Sequence, residues 1–324
     1  PPGQWILGGG WDHNLWPDPA WPDRRALDAI SRQHPIALDS KDVHTLWVNS
    51  LALGRAGIDA HTPDPAGGKI VREPASGAAT GILSEMPAKD LVWRVVEPPD
   101  IDETCRAIQA ATQAAWRAGV TGIHDCEDER AFAAFQELRR RDAAGLRVLM
   151  HLSADNLDAA IQAGVRSGLG DAWLRVGGVK LFMDGALGSR TGHLLEPYLG
   201  EPDNYGMIVT TREELADRLA RSLSNGISAA IHAIGDAANR TVLDCLEIAQ
   251  ARYETNPPLR NRIEHVQMLA LDDTPRLARL GIIASVQPLH ATADYEMAER
   301  YWGGKRVQGA YAYRSLLDAG ARLV

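Results

Sequence analysis

The sequence predicts an α/β fold in which parallel strands close into a (β/α)8 TIM-like barrel. Three observations carry this expectation. From residue 101 onward, short apolar runs alternate with helical stretches. Those runs are continuously apolar rather than alternating, as strands buried on both faces are. Polar residues repeatedly close them: His124, His151, Lys180, His232, His265 and Gln287. Barrel enzymes gather their functional groups at the C-terminal ends of their strands. A doubly wound sheet would usually carry a glycine-rich phosphate turn after its first strand, and neither GxGxxG nor GxxxxGK[ST] occurs.

The elements follow in order. Residues 1–100 hold most of the tryptophans (Trp5, Trp11, Trp16, Trp21, Trp47, Trp93) and proline- and glycine-rich stretches such as PAGGKIVREPASGAATG. This composition predicts a loop-rich region with a short strand over 35–38 and a short helix near 46–55. It is too apolar for a linker, so it is expected to be a large insertion packing on the barrel. Residues 101–324 are expected to form the barrel itself. A helix over 101–118 ends at Gly119, a fitting C-cap, and GVTGIHD follows as a strand. Helices over 128–142, 155–167, 211–224, 236–252, 272–279 and 309–319 lead in turn to LRVLMHLS, LRVGGVKLFMDG, GISAAIHAIGD, NRIEHVQ, GIIASVQP and ARLV.

Composition narrows the function. The chain has 324 residues and a net charge of −8, so nothing basic points to nucleic acid or an anionic membrane surface. No run of eighteen apolar residues offers a membrane span. Cys105, Cys126 and Cys245 are widely spaced and form no CxxC pair. Reduced thiols of this kind fit a cytoplasmic enzyme. The chain starts at Pro1 without a signal-like segment, which leaves its targeting open.

Lys180, His232 and His265 are the candidate catalytic and metal-binding residues. A buried lysine between apolar neighbours has three explanations. It is salt-bridged to Asp184 or another carboxylate, it forms a Schiff base at a depressed pKa, or it is carboxylated and bridges two metals. A lone strand-end histidine is more often a satisfied core residue than a ligand. Two on consecutive strands beside such a lysine strengthen the metal reading. His124-Asp125 and His151 read as structural first. Candidate substrate-binding residues are His44, Ser189, Arg190, Gln287 and His290, with the DGALGSR turn offering backbone N–H groups and a guanidinium.

The segments GGGWDHNLWP, HTLWVNSLAL, TGILSE, GVTGIHD, VKLFMDGALGSRTG, IHAIGDAAN, RIEHVQ and LGIIASVQPLH resemble, in order, the amidohydrolase superfamily. Within it they are similar to amidohydrolase family 3, a YtcJ-like group related to N-substituted formamide deformylase. The resemblance implies a metal-dependent barrel hydrolysing a non-peptide C–N bond (amide, formamide or related) through a metal-activated water. It implies that Lys180 is the carboxylated, metal-bridging lysine of strand four. His232 and His265 would be the metal histidines of strands five and six. An intact enzyme would hold two divalent ions, zinc being the expected one.

Two departures matter. The family's strand-one His-x-His occurs nowhere in the sequence, and its strand-eight aspartate is expected just beyond ARLV. Strand one and most of strand eight would then lie outside this chain. Alone it is expected to be inactive and to hold at most one metal. Its open edges would favour a homodimer. The partner class is a small amide-like substrate, with no nucleic acid and no membrane. The alternatives are a Lys180 Schiff-base lyase on the same barrel and a non-catalytic truncated remnant.

Overall fold

Two sheets organise the chain in a computed structural model that describes residues 3–18, 20–256 and 258–324. Each belongs to its own compact unit. One unit gathers residues up to Glu97 with Asp184–Val209 and Ala291–Val307. The other gathers Pro98–Met183, Thr210–His290 and Gln308–Val324.

The first unit holds β1 (Ile6–Trp11), α1 (Arg24–Ile30), β2 (Ile36–Ser40), β3 (Thr45–Val48), α2 (Ser50–Arg55), β4 (Lys69–Arg72), β5 (Ala79–Ser84) and α3 (Met86–Trp93). Its sheet runs β1-β2-β3-β5-β4, with only the β1–β2 pair parallel. One face presents Ala37, Leu46, Val48, Ile70 and Leu83 to Ala52 and Leu53 of α2 and Ala88 and Val92 of α3. The helix expected over 46–55 is two elements. TLWV is β-branched and aromatic, which suits a pleated strand better than a helix. The Asn49 side chain then accepts from the Ala52 N–H and starts α2. Trp11, Trp16, Trp21 and Trp47 cluster together, and His13 stacks on Trp21 with ring centroids 4.1 Å apart.

The second unit alternates helix and strand: α4 (Ile101–Arg117), β6 (Gly122–Asp125), α5 (Glu129–Arg140), β7 (Arg147–Ser153), α6 (Leu157–Gln162), β8 (Leu174–Phe182), α7 (Arg212–Ser224), β9 (Ala229–Ala233), α8 (Asp236–Arg252), β10 (Arg262–His265), α9 (Thr274–Arg279) and β11 (Ile283–Ser285). Helix α10 (Pro288–Ala293) comes next, α11 (Tyr295–Trp302) falls in the first unit, and α12 (Tyr313–Asp318) and β12 (Arg322–Leu323) complete the second. Asp100 with Glu103 and Thr211 with Glu214 form capping boxes that start α4 and α7. Helix α6 is shorter than 155–167 because the chain turns left-handed at Gly164, where φ is 71°.

The strands form one seven-stranded sheet ordered β12-β11-β10-β9-β8-β7-β6, parallel at every pair. Sequential order with a helix in nearly every connection is barrel connectivity, and it has none of the order reversal of a doubly wound sheet. Among the described residues β6 and β12 are its end strands.

One face of this sheet is apolar. Val179, Leu181, Ala229, Ile231, Ile263 and Ala284 pack against Leu215, Leu219 and Leu223 of α7, Val242 and Leu246 of α8, and Leu277 of α9. The opposite face is not apolar, which corrects the expectation of strands buried in hydrocarbon on both sides. By the two-residue strand period it carries His124, His151, Lys180, His232, Arg262 and Glu264.

Candidate metal centre

Lys180 reaches the site by its length. In register it pairs with Ala230, whereas Phe182 pairs with His232. Its Cα therefore sits one side-chain layer below His232 on the same face. The aliphatic stem spans that layer and lays Nζ 3.6 Å from the centroid of the Phe182 ring, donating to the Leu181 carbonyl at 3.2 Å. Lys180 is 7% exposed. Cation–π and carbonyl contacts offset part of the cost of burying an ammonium.

Two glycines let β8 lie close to its neighbours at this level. The β7–β8 register slips between Met150 and His151. A Cβ on Gly177 would stand 2.7 Å from the His151 ring, and one on Gly178 would stand 2.2 Å from the Ser228 carbonyl oxygen. A side chain at 177 would displace the buried His151 ring, and one at 178 would displace the Ser228 backbone.

His232 and His265 come together edge to face, with ring centroids 4.7 Å apart and planes at 74°. Strict alternation along β10 would turn His265 to the helix side, away from Glu264. Positive φ at His265 (75°) and Val266 (45°) redirects it. Left-handed backbone at a bulky and a β-branched residue costs of order 1–3 kcal/mol each, and such strain persists where the surroundings over-determine it. Gln287 fixes the result. Its amide oxygen lies 2.6 Å from His265 Nδ1, so Nδ1–H donates and Nε2 carries the ring's lone pair. The His290 ring lies 5.7 Å from His265. Lys180, His232, His265, Gln287 and His290 thus fall in one unit.

The other expected site residues, His44, Ser189 and Arg190, fall in the first unit. There His44 Nδ1 lies 2.7 Å from Glu85 Oε2, and Glu85 Oε1 accepts from the Thr191 hydroxyl at 2.6 Å. Ser189 Oγ lies 2.6 Å from Thr191 Oγ1. Burial alone would lower the His44 pKa, but the Glu85 carboxylate outweighs it and raises it. Stability from this pair is full below the unfolded histidine value and is lost as pH rises through the raised one. Val43, Glu85 and Arg190 all have positive φ (57°, 67°, 56°), so this junction is strained at three non-glycine residues. Arg190 pairs with Glu201 at 3.0 Å and lies over the Tyr301 ring at 5.3 Å.

Four residues of these sites carry no role in the sequence reading. Arg262 and Glu264 form a buried ion pair on the polar sheet face, and Arg262 also engages His124. Their signal was two charges at i and i+2 around Ile263, the strand period. Glu85 lay inside TGILSE. Asn239 closed IHAIGDAAN, and it is buried with Nδ2 donating to Ala233 O (3.2 Å), Gly235 O (2.9 Å) and Met268 O (3.1 Å). It ties the turn after His232 to the turn after His265. Asn239→Ala should destabilise the protein by about 1–3 kcal/mol. Asn239→Asp should cost more, because it sets a carboxylate against three carbonyl oxygens. Urea unfolding of both variants checks the order.

His151 is 3% exposed, and neither ring nitrogen has a hydrogen-bond partner among the described residues. Burial, helped by the Arg262, His124 and Lys180 charges, holds its pKa down at about 3. Burial and Arg262 likewise lower that of His124.

Among the described residues no group of three or more His, Cys, Asp and Glu side chains is arranged to hold a metal. A lysine lies outside that donor set. Two imidazoles with a lysine whose nitrogen reaches their level fit a divalent ion once the lysine is no longer an ammonium. Among the described residues no helix is long and apolar enough to cross a membrane.

The chain is 36% identical to LONG AFTER FAR-RED 3 of Arabidopsis thaliana, over 99% of this chain and 57% of that protein. It is 32% identical to the putative amidohydrolase YtcJ of Bacillus subtilis (99% and 60%) and 31% identical to the N-substituted formamide deformylase of Arthrobacter pascens (100% and 61%). Its structure is similar to an uncharacterized metal-dependent hydrolase from Pyrococcus horikoshii, at 28% identity and a TM-score of 0.76 over 99% of this chain and 61% of that one. The chain therefore spans less than two thirds of the length of these relatives. The model of the amidohydrolase family matches residues 1–324, and the chain belongs to that family.

Proposed function

We propose that this chain carries the central metal-binding part of a metal-dependent hydrolase that cleaves a non-peptide C–N bond in a small amide, formamide or related compound. The observation that carries the reading is the perpendicular His232–His265 pair, with Lys180 Nζ brought to the level of His232 from the neighbouring strand. The formamide deformylase and the metal-dependent hydrolase among the similar proteins support it.

A divalent metal, zinc being the expected one, would supply Lewis acidity and a nucleophilic water at neutral pH. His232 and His265 would hold it through imidazole nitrogen, and Gln287 keeps His265 in the tautomer that offers Nε2. Lys180 would hold it as a carbamate. Carboxylation replaces a cation by an anion on a face where Arg262 is already the partner of Glu264. Gln287 and His290 beside His265, and His44, Ser189 and Arg190 in the first unit, are the proposed substrate-binding residues. The unbridged Cys105, Cys126 and Cys245 support a cytoplasmic setting.

On this reading β6 to β12 are strands two to eight of the barrel, and strand one is not among them. The chain alone is then expected to bind at most one metal and to hydrolyse little or nothing. Strands β6 and β12 would offer pairing edges. A homodimer covering them is the expected state in light scattering, and a monomer at all concentrations contradicts it. The catalytic reading is tested by assaying N-substituted formamides with a chain extended to the length of its relatives. Metal-dependent release of amine supports it. Borohydride trapping of a carbonyl compound on Lys180 would replace it with Schiff-base chemistry.

A further inference from the structure

The face of the first unit's sheet that is turned away from its apolar core holds polar groups with no hydrogen-bond partner among the described residues. Thr45 pairs with Ser84, Ser84 with Lys69, and Trp47 with Ile82. By strand alternation these residues share the face opposite Leu46 and Leu83. The Thr45 hydroxyl and the Trp47 indole N–H are buried with no partner among the described residues. Ser84 is 5% exposed, and its hydroxyl bonds to no described residue. Each such group costs about 1–3 kcal/mol if left unsatisfied, and Ser84 is the one of the three that lines the cleft beside this face.

Ser84 opens onto a cleft of about 530 Å³, the size of a small-molecule site. Lys69, Trp21, Arg190, Glu201 and Asp203 also line it, with Val71 and Met207 on its apolar wall. The charges sort themselves. Arg190 is engaged by Glu201. Lys69 and Asp203 remain, both exposed and in no ion pair with a described residue. The cleft therefore offers one uncompensated cation beside a hydroxyl, one uncompensated anion, and an indole. A plain carboxylate would meet Asp203 and Glu201, and a plain amine would meet Lys69. A ligand carrying both charges meets neither penalty.

We propose that this cleft binds the zwitterion of a free α-amino acid with an apolar side chain. Its carboxylate would sit at Lys69 and Ser84, its ammonium at Asp203, and its side chain against Trp21 and Met207. The site lies wholly within the first unit and does not depend on the metal reading.

Calorimetric titration of the protein with L-phenylalanine tests it. Saturable binding is expected, at least about tenfold weaker for 3-phenylpropionate and for 2-phenylethylamine, each of which lacks one charge. Lys69→Met and Asp203→Asn should each weaken L-phenylalanine binding about tenfold. Both positions are exposed, and unchanged circular dichroism would confirm that the fold is kept. No saturable binding up to the solubility of L-phenylalanine would overturn the proposal. Equal binding of 3-phenylpropionate, or full affinity in both variants, would overturn it as well.

Discussion

Lys180→Ala, in a chain extended to the length of its relatives, should lower hydrolysis by at least about 10³-fold while leaving the protein folded. A metal's Lewis-acid contribution is several kcal/mol, and each 1.36 kcal/mol is tenfold in rate. The variant removes the anionic oxygens of the proposed carbamate and leaves His232 and His265 as the only ligands from this region. The fold should survive because Lys180 faces the polar side of the sheet, whereas the apolar core is made by Val179 and Leu181 on the other. In the metal-free, uncarboxylated protein the variant removes a buried ammonium, and that relieves a desolvation cost. A small carboxylate such as propionate, supplied with metal, should restore part of the rate by standing in for the lost anion. Full activity in Lys180→Ala would remove the lysine from the site. Lost activity together with lost structure would make its role one of folding.

Acidification should destabilise the protein between about pH 6.5 and about pH 3, and His151→Leu should weaken that dependence. Burial holds the His151 pKa at about 3 in the folded chain, against about 6.5 for an unfolded histidine. Between those values the unfolded state binds a proton that the folded state refuses, so stability rises with pH across this window and falls on acidification. The slope for one such group is on the order of 1 kcal/mol per pH unit. Carboxylates contribute their own acid limb, and the comparison with His151→Leu isolates the histidine. Unfolding midpoints in urea at a series of pH values give the answer. Identical pH profiles for the two proteins would mean that His151 takes up its proton in the folded state.

The fold was legible in the sequence where local chemistry and tertiary packing agree. Capping residues and apolar periodicity placed α4, α7 and α8 within a residue or so of their observed bounds. TLWVNS was not legible in the same way. Its apolar spacing suits a helix, and only the β-branched content and the Asn49 cap reveal a strand followed by a helix. The polar sheet face was half visible: His124, His151, Lys180 and His232 mark strand ends, but Arg262 and Glu264 sit inside NRIEHVQ and need the pairing with β9 to show which way they point. The left-handed turn at His265 could not be read at all. It is a tertiary constraint imposed on a residue type that disfavours it, and nothing in the residue string encodes φ. Asn239 was likewise invisible as a tie, because its three carbonyl partners lie on two different loops.

The central claim is that Lys180, His232 and His265 hold a divalent metal. Elemental analysis of the protein purified with zinc and bicarbonate tests it most directly. The account predicts close to one equivalent of zinc in this chain and essentially none in a folded His232→Ala, His265→Ala double variant. Zinc retained by that double variant, or no zinc in the unmodified folded chain, would contradict it.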